Sequence, residues 1–165
     1  MSEEHPSPFR ADCAAGLAVL VTGGGSGIGY GICTAFAAHG AKVAMFGRRQ
    51  HVLKESCASL AAKYPSADPL ALTGDVRSAE SCAVAIAAMV ERYGRCDVLV
   101  NAAAGNFMSR AEDLGSKGMR TVLEIDTLGT FNMSLAALPA LSLTLKPRPV
   151  PKLCGSPLSE PNPRT

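Results

Sequence analysis

Leu17-Ala18-Val19-Leu20-Val21-Thr22-Gly23-Gly24-Gly25-Ser26-Gly27-Ile28-Gly29 decides the fold. Its first five residues are a continuous apolar run, which is how a strand buried on both faces reads. Glycines come next, and from Ile28 the apolar positions take helical spacing, at Ile28, Ile32, Ala35 and Phe36. A buried strand, a glycine turn and an amphipathic helix open a parallel sheet whose crossovers are helices. Such a turn needs glycine where φ must be positive, where a diphosphate must approach the backbone, and where the helix start packs on the strand. The helix N-terminus offers free N–H groups and a partial positive charge to that diphosphate. Gly23, Gly24, Gly25, Ser26, Gly27, Ile28 and Gly29 are therefore the candidate diphosphate cradle.

Outward from this turn the period keeps alternating. Gly40 closes the first helix, and Lys42 to Phe46 reads as a second strand. Leu53, Cys57, Leu60, Ala61 and Tyr64 form a second helical stripe before Pro65, and Pro69 to Thr73 a third strand. Ile86, Met89, Val90 and Tyr93 mark a third helix ended by Gly94, and Asp97 to Val100 a fourth strand. A last helix is expected from Met119 to about Leu138, preceded by a short one near Ala111–Leu114. The fold class is α/β, a Rossmann-like doubly wound parallel sheet, incomplete, with strand order 3-2-1-4. Its ligand crevice lies at the carboxyl ends of strands 1 and 4, where the winding reverses.

The chain of 165 residues has the length of one domain. Sixteen basic against 14 acidic residues leave a formal charge of +2, no electrostatic footprint for nucleic acid or a membrane surface. No apolar run approaches the ~18 residues of a membrane span. The start, MSEEHPSPFR, does not read as a secretory signal. Cys13, Cys33, Cys57, Cys82, Cys96 and Cys154 include no C-x-x-C pair and read as small core fillers in a reducing compartment. His5, His39 and His51 are too scattered for a metal site, so no metal is expected. Prolines crowd at 147, 149, 151, 157, 161 and 163. The expected organisation is a flexible arm over 1–15, a nucleotide-binding domain over 16–141, and a proline-rich, disordered or extended tail over 142–165.

The end of strand 2 selects the cofactor. An acid there would bind the two ribose hydroxyls of NADH. This chain has Phe46-Gly47-Arg48-Arg49 instead. Gly47 removes the carboxylate, and Arg48 and Arg49 supply charge for a 2′-phosphate, so NADPH is the expected cofactor.

Three motifs carry a resemblance: Thr-Gly-x-x-x-Gly-x-Gly at 22–29, Asp75-Val76 after strand 3, and Asn101-Ala102-Ala103-Ala104-Gly105 after strand 4. Together they resemble the short-chain dehydrogenase/reductase superfamily over about residues 16–138. The run from Asn101 to Phe107 resembles the N-x-A-A-G-N-F stretch of 2,4-dienoyl-CoA reductases, and Glu124 to Asn132 the I-D-T-x-G-T-F-N stretch of their peroxisomal branch. The resemblance implies NADPH-dependent reduction of a 2,4-dienoyl-CoA in fatty-acid β-oxidation. It implies that Asp75 bonds the adenine beside Val76, and that Asn101 and Ala102 line the ribose. It further implies that Arg48 and Arg77 reach coenzyme A phosphates, that Phe107 meets the acyl chain, and that Asp126 takes part in catalysis. A homo-oligomer is implied for the full-length family.

The superfamily's Tyr-x-x-x-Lys has no counterpart, because four residues beyond Tyr30, Tyr64 and Tyr93 stand Thr34, Asp68 and Asp97. The peroxisomal branch uses an Asp and a Lys instead, which sit on the helix after strand 5, and that part is not matched. The chain leaves the family pattern after about Leu141, so a truncated form lacking part of the active site is expected, without enzyme-like turnover on its own. The alternative is a catalytically inactive nucleotide-binding fragment or a regulatory or pairing module. The family implies the peroxisome, but Asn162-Pro163-Arg164-Thr165 is no S-K-L-type address, which leaves the cytoplasm open.

Overall fold

A computed structural model describes residues 8–105 and 109–143. The strands are β1 (Ala18–Thr22), β2 (Lys42–Gly47), β3 (Leu70–Thr73) and β4 (Val98–Asn101), and all pair in parallel in the order β3-β2-β1-β4. The expected topology is therefore present. The helices are α1 (Gly27–Ala38), α2 (Gln50–Lys63), α3 (Ala79–Tyr93), α4 (Ser116–Leu123) and α5 (Gly129–Leu143).

The alternation of side chains across a strand builds two cores. On one face Leu20, Ala44 and Phe46 pack with Met89 of α3 and Met133 of α5. On the other, Val19, Val21, Val43 and Met45 pack with Cys33 of α1 and Leu53 of α2. β1 and β2 are buried on both faces, which is why their sequences are apolar without alternation. Cys33, Cys82 and Cys96 are buried as fillers, and burial pushes the Cys33 thiol up to about 12. Cys13 is exposed, contrary to the expectation for all six, and Cys154 lies outside the described residues.

Register sets the site. Thr22 stands beside Phe46 on one side and Asn101 on the other, and Gly47 beside Thr73. The carboxyl ends of all four strands thus form one rim.

Two expectations are corrected. The single helix from Met119 to about Leu138 is α4 and α5 separated by one π turn over Glu124–Leu128. One extra residue per turn breaks the 3.6-residue period that sequence spacing assumes. The short helix near Ala111–Leu114 is a 3₁₀ turn at Ala111–Asp113. Pro139 lies inside α5, which continues to Leu143 despite the backbone donor that proline lacks. Of the expected N-terminal arm, residues 11–16 form turns, with Ala14 buried and its N–H donating to the His39 carbonyl. Of the tail expected over 142–165, residues 142 and 143 are instead the last of α5, and the rest from 144 onward lies outside the described residues. Leu128 at the end of the π turn and Phe131, Leu135 and Leu138 of α5 are 45–61% exposed. Among the described residues, no helix is long and apolar enough to cross a membrane.

Candidate functional site

The strand rim opens on a cleft of about 350 Å³. Its floor is the glycine turn, contributed by Gly23, Gly25, Ser26, Ile28 and Gly29. Gly24 and Gly27 complete the turn without facing the cleft. Gly23 has φ +68°, and a Cβ there would stand 2.9 Å from the Ala102 carbonyl oxygen. A Cβ at Gly29 would collide with the Gly23 carbonyl, because α1 begins directly against the end of β1. The cradle stays open only because these side chains are absent. Ser26 precedes α1 in extended conformation, and its side chain does not cap the helix. The first-turn N–H groups of α1 therefore face the cleft mouth uncapped by Ser26, a setting suited to an anion.

The Ser26 hydroxyl is engaged elsewhere, accepting from Arg49 Nη2 at 3.2 Å. That bond joins the glycine turn to the residues after β2. Gly47, Arg48 and Arg49 all line the cleft, and both arginines are exposed. Ser56 Oγ donates to the Gly25 carbonyl at 2.7 Å and fixes the turn from α2.

The wall beyond β1 depends on one hydroxyl. Thr22 is 1% exposed, and its Oγ1 accepts from the N–H groups of Ala102 and Ala103, each at 3.0 Å. It donates to the Val100 carbonyl at 3.5 Å. A polar residue ending a run of buried aliphatics is the sequence signal for this role, and the glycine motif, which uses Thr22 only as its first letter, does not reveal it. Ala102 lines the cleft; Asn101 does not, and its Nδ2 donates to Ser134 Oγ at 3.1 Å.

Asp75 and Val76 line the opposite end, after β3. Arg77 forks onto Asp75, with Nη2 donating to Oδ2 at 2.6 Å and Nε donating to both carboxylate oxygens at 3.0–3.1 Å. The Arg77 N–H donates to Oδ1 as well, at 3.0 Å. These bonds with Arg77, helped by its charge and that of Arg48, hold the Asp75 carboxyl below its ordinary range. Arg77 itself is off the cleft, turned to Asp75.

The π turn ties both walls to α5. Ile125, within it, is buried and lines the cleft. Asp126 is half-buried and off the lining, and its Oδ1 accepts from the Gly105 N–H at 2.8 Å. Six residues on, Asn132 Nδ2 donates to the carbonyls of Val76 (3.0 Å) and Arg77 (3.2 Å). Neither the π turn nor Asn132 was legible as a site feature. Phe107 lies outside the described residues. Among the described residues, no group of three or more His, Cys, Asp or Glu is placed to hold a metal ion.

Comparison with known proteins fits this geometry. The family model "short chain dehydrogenase" matches residues 17–147. The peroxisomal 2,4-dienoyl-CoA reductase [(3E)-enoyl-CoA-producing] of Arabidopsis thaliana is 48% identical over 132 residues, which cover 80% of this chain and 44% of that protein. The protein of the same name from Rattus norvegicus is 37% identical over 81% of this chain and 45% of its own length. The chain thus spans less than half the length of these relatives. Among solved structures, a short chain dehydrogenase from Bacillus anthracis superposes with a TM-score of 0.69 at 38% identity, covering 74% of this chain and 49% of that one.

Proposed function

This chain belongs to the short-chain dehydrogenase family of oxidoreductases, and on that premise we propose that it carries the NADPH site of a 2,4-dienoyl-CoA reductase of fatty-acid β-oxidation. The observation that supports the reading is the end of β2, where Gly47 brings no carboxylate and Arg48 and Arg49 open onto the cleft. Two guanidinium groups there favour a 2′-phosphate, while an acid would favour free ribose hydroxyls. The residues present fit the dinucleotide, since the cradle at Gly23 and Gly29 is space that a Cβ would fill.

In this reading the glycine turn and the α1 N-terminus bind the diphosphate, and Arg48 and Arg49 the 2′-phosphate. Asp75 accepts from the adenine amine beside Val76, and Ala102 borders the ribose. NADPH, when bound, supplies a hydride. The relatives' name supports a dienoyl thioester as acceptor, gaining hydrogen at its δ and α carbons to leave a 3-enoyl thioester, together with a peroxisomal location. Asp126 is the candidate acid, with Arg77 and Phe107 the candidate substrate contacts.

A second reading has its own support. Asp126 Oδ1 is committed to the Gly105 N–H, which suits a residue that positions the β4 loop in a nucleotide-binding module without turnover.

The experiment is a titration of the 165-residue chain with NADPH and NADH, and then a turnover assay with a 2,4-dienoyl-CoA. NADPH is expected to bind more tightly, and Arg48→Ala to weaken it by about 10- to 150-fold, the worth of a charge-assisted hydrogen bond. Equal affinities for the two cofactors would refute the NADPH reading. Turnover abolished by Asp126→Ala would support the catalytic role, and binding without turnover the second reading.

A further inference from the structure

We propose that residues 146–152 of this same chain, Lys-Pro-Arg-Pro-Val-Pro-Lys, a segment outside the described residues, dock as an added parallel strand along the open edge of β4. The proposal does not rest on the nucleotide reading. β4 has β1 on one side and, among the described residues, no strand on the other. Its run Val98-Leu99-Val100 is as continuously apolar as β1, yet all three residues are only half-buried where every residue of β1 is buried. β4 carries no charge and no proline. An apolar edge without either is a template for a further strand.

The course of α5 delivers that strand. Asp126, ahead of α5, is bonded to Gly105 beyond the end of β4, and Ser134 within α5 to Asn101, the last residue of β4. Moving forward along α5 is therefore moving backward along β4. From Ser134 to Leu143 the helix rises about 13 Å, and from Asn101 back to Val98 the strand spans about 10 Å. The chain thus leaves α5 level with the start of β4. Residues 144–146, extended, reach about 10 Å, enough to step from the helix layer to the sheet. The handedness agrees as well. α3 connects β3 to β4 across the same face of the sheet on which α5 packs. A strand placed beyond β4 continues in that direction over that face, so both crossovers have one hand, as parallel sheets require.

The segment reads as a strand that pairs on one side only. Along an extended chain successive residues turn their N–H and C=O groups to opposite edges. Pro147, Pro149 and Pro151 fall on one edge, which therefore has no donor. Arg148, Val150 and Lys152 fall on the other, with every donor and acceptor in place. Facing β4 with this second set, the segment completes a ladder and offers no donor to anything beyond it. Prolines and basic side chains on the outermost strand are how sheets close an edge. Each proline also disfavours helix at the residue before it, so Lys146, Arg148 and Val150 are preset to be extended.

The test is amide hydrogen exchange followed by NMR on the full 165-residue chain, with its mass in solution measured by light scattering. Without a second partner strand, only alternate amides of β4 are bonded, those that face β1. With it, all amides of β4, and those of Arg148, Val150 and Lys152, are expected to exchange at least about a hundredfold slower than in an unstructured peptide. Contacts between α and amide protons should join residues 148–152 to residues 98–101 in a monomer. Val150→Pro removes the central inward donor and should speed the outward β4 amides at least about tenfold, while Pro149→Ala, on the outer edge, should leave them within about threefold. If circular dichroism shows Val150→Pro unfolded, the cross-strand contacts of the wild type decide. Outward β4 amides that exchange freely in the wild type, or equal exchange in the two variants, overturn the proposal. Protection that grows with protein concentration alongside a dimer mass also overturns it, because a second copy then covers the edge.

Discussion

Asp126 and Gly105, 21 residues apart in the chain, are joined by a hydrogen bond of 2.8 Å from the Gly105 N–H to Asp126 Oδ1. The bond fastens the loop after β4 to the π turn between α4 and α5. Asp126→Ala leaves that N–H without its acceptor and should lower stability by about 1–2 kcal/mol. Asp126→Asn keeps an acceptor oxygen and should recover most of that loss. Urea unfolding of the three proteins checks this, and equal stability of the Ala and Asn variants would refute a clamp.

Thr22 makes a sharper case, because its environment is dry and its oxygen serves two donors. Thr22→Val keeps the shape and strands the N–H groups of Ala102 and Ala103. The expected cost is about 2–4 kcal/mol, the scale of two unsatisfied buried donors. Thr22→Ser should recover most of it. Equilibrium denaturation of both variants measures the difference.

Gly29→Ala drives a Cβ toward the Gly23 carbonyl, and backbone on both sides cannot rotate away. We expect destabilisation of about 1–3 kcal/mol, as for an overpacked core, together with weaker binding of NADPH. Unchanged melting and binding would mean that α1 does not start against the end of β1.

The Asp75–Arg77 fork gives a pH signature. Native Asp75 titrates below its ordinary value through its hydrogen bonds to Arg77. Its contribution to stability is full above the unfolded carboxylate pKa of about 3.9 and is lost as pH falls through the lower native value. Arg77→Gln removes the fork, so the Asp75 titration should move up toward that unfolded value. The carboxyl is near the surface, so the change in stability will be small and the titration is the better readout. Carbon-detected NMR of the Asp75 carboxyl across the acid range tracks it, and an unmoved midpoint would refute the fork's role.

The sheet was legible because parallel strands buried on both faces write themselves as apolar runs, as in Ala18–Val21 and Val43–Phe46. The cradle was legible because steric exclusion at Gly23 and Gly29 leaves no alternative to glycine. What escaped was relational. Arg77 is implied as a coenzyme A contact, and only the structure shows its fork onto Asp75; Asn132 carries no role in the sequence until Val76 and Arg77 present their carbonyls. The π turn escaped for another reason. Helical spacing is read on a fixed period, and Ile125 and Asp126 take their places through a local departure from it.

The exposed apolar residues of α5, Phe131, Leu135 and Leu138, with Leu128 just before them, change how one common assay is read. Dyes such as ANS fluoresce on exposed hydrophobic surface and serve as reporters of molten states. Here the native fold itself presents such a surface, so dye fluorescence in buffer is expected from correctly folded material. Near-ultraviolet dichroism of Tyr30, Tyr64 and Tyr93, all packed in or against the two cores that flank the sheet, is the more faithful gauge of folding for this chain.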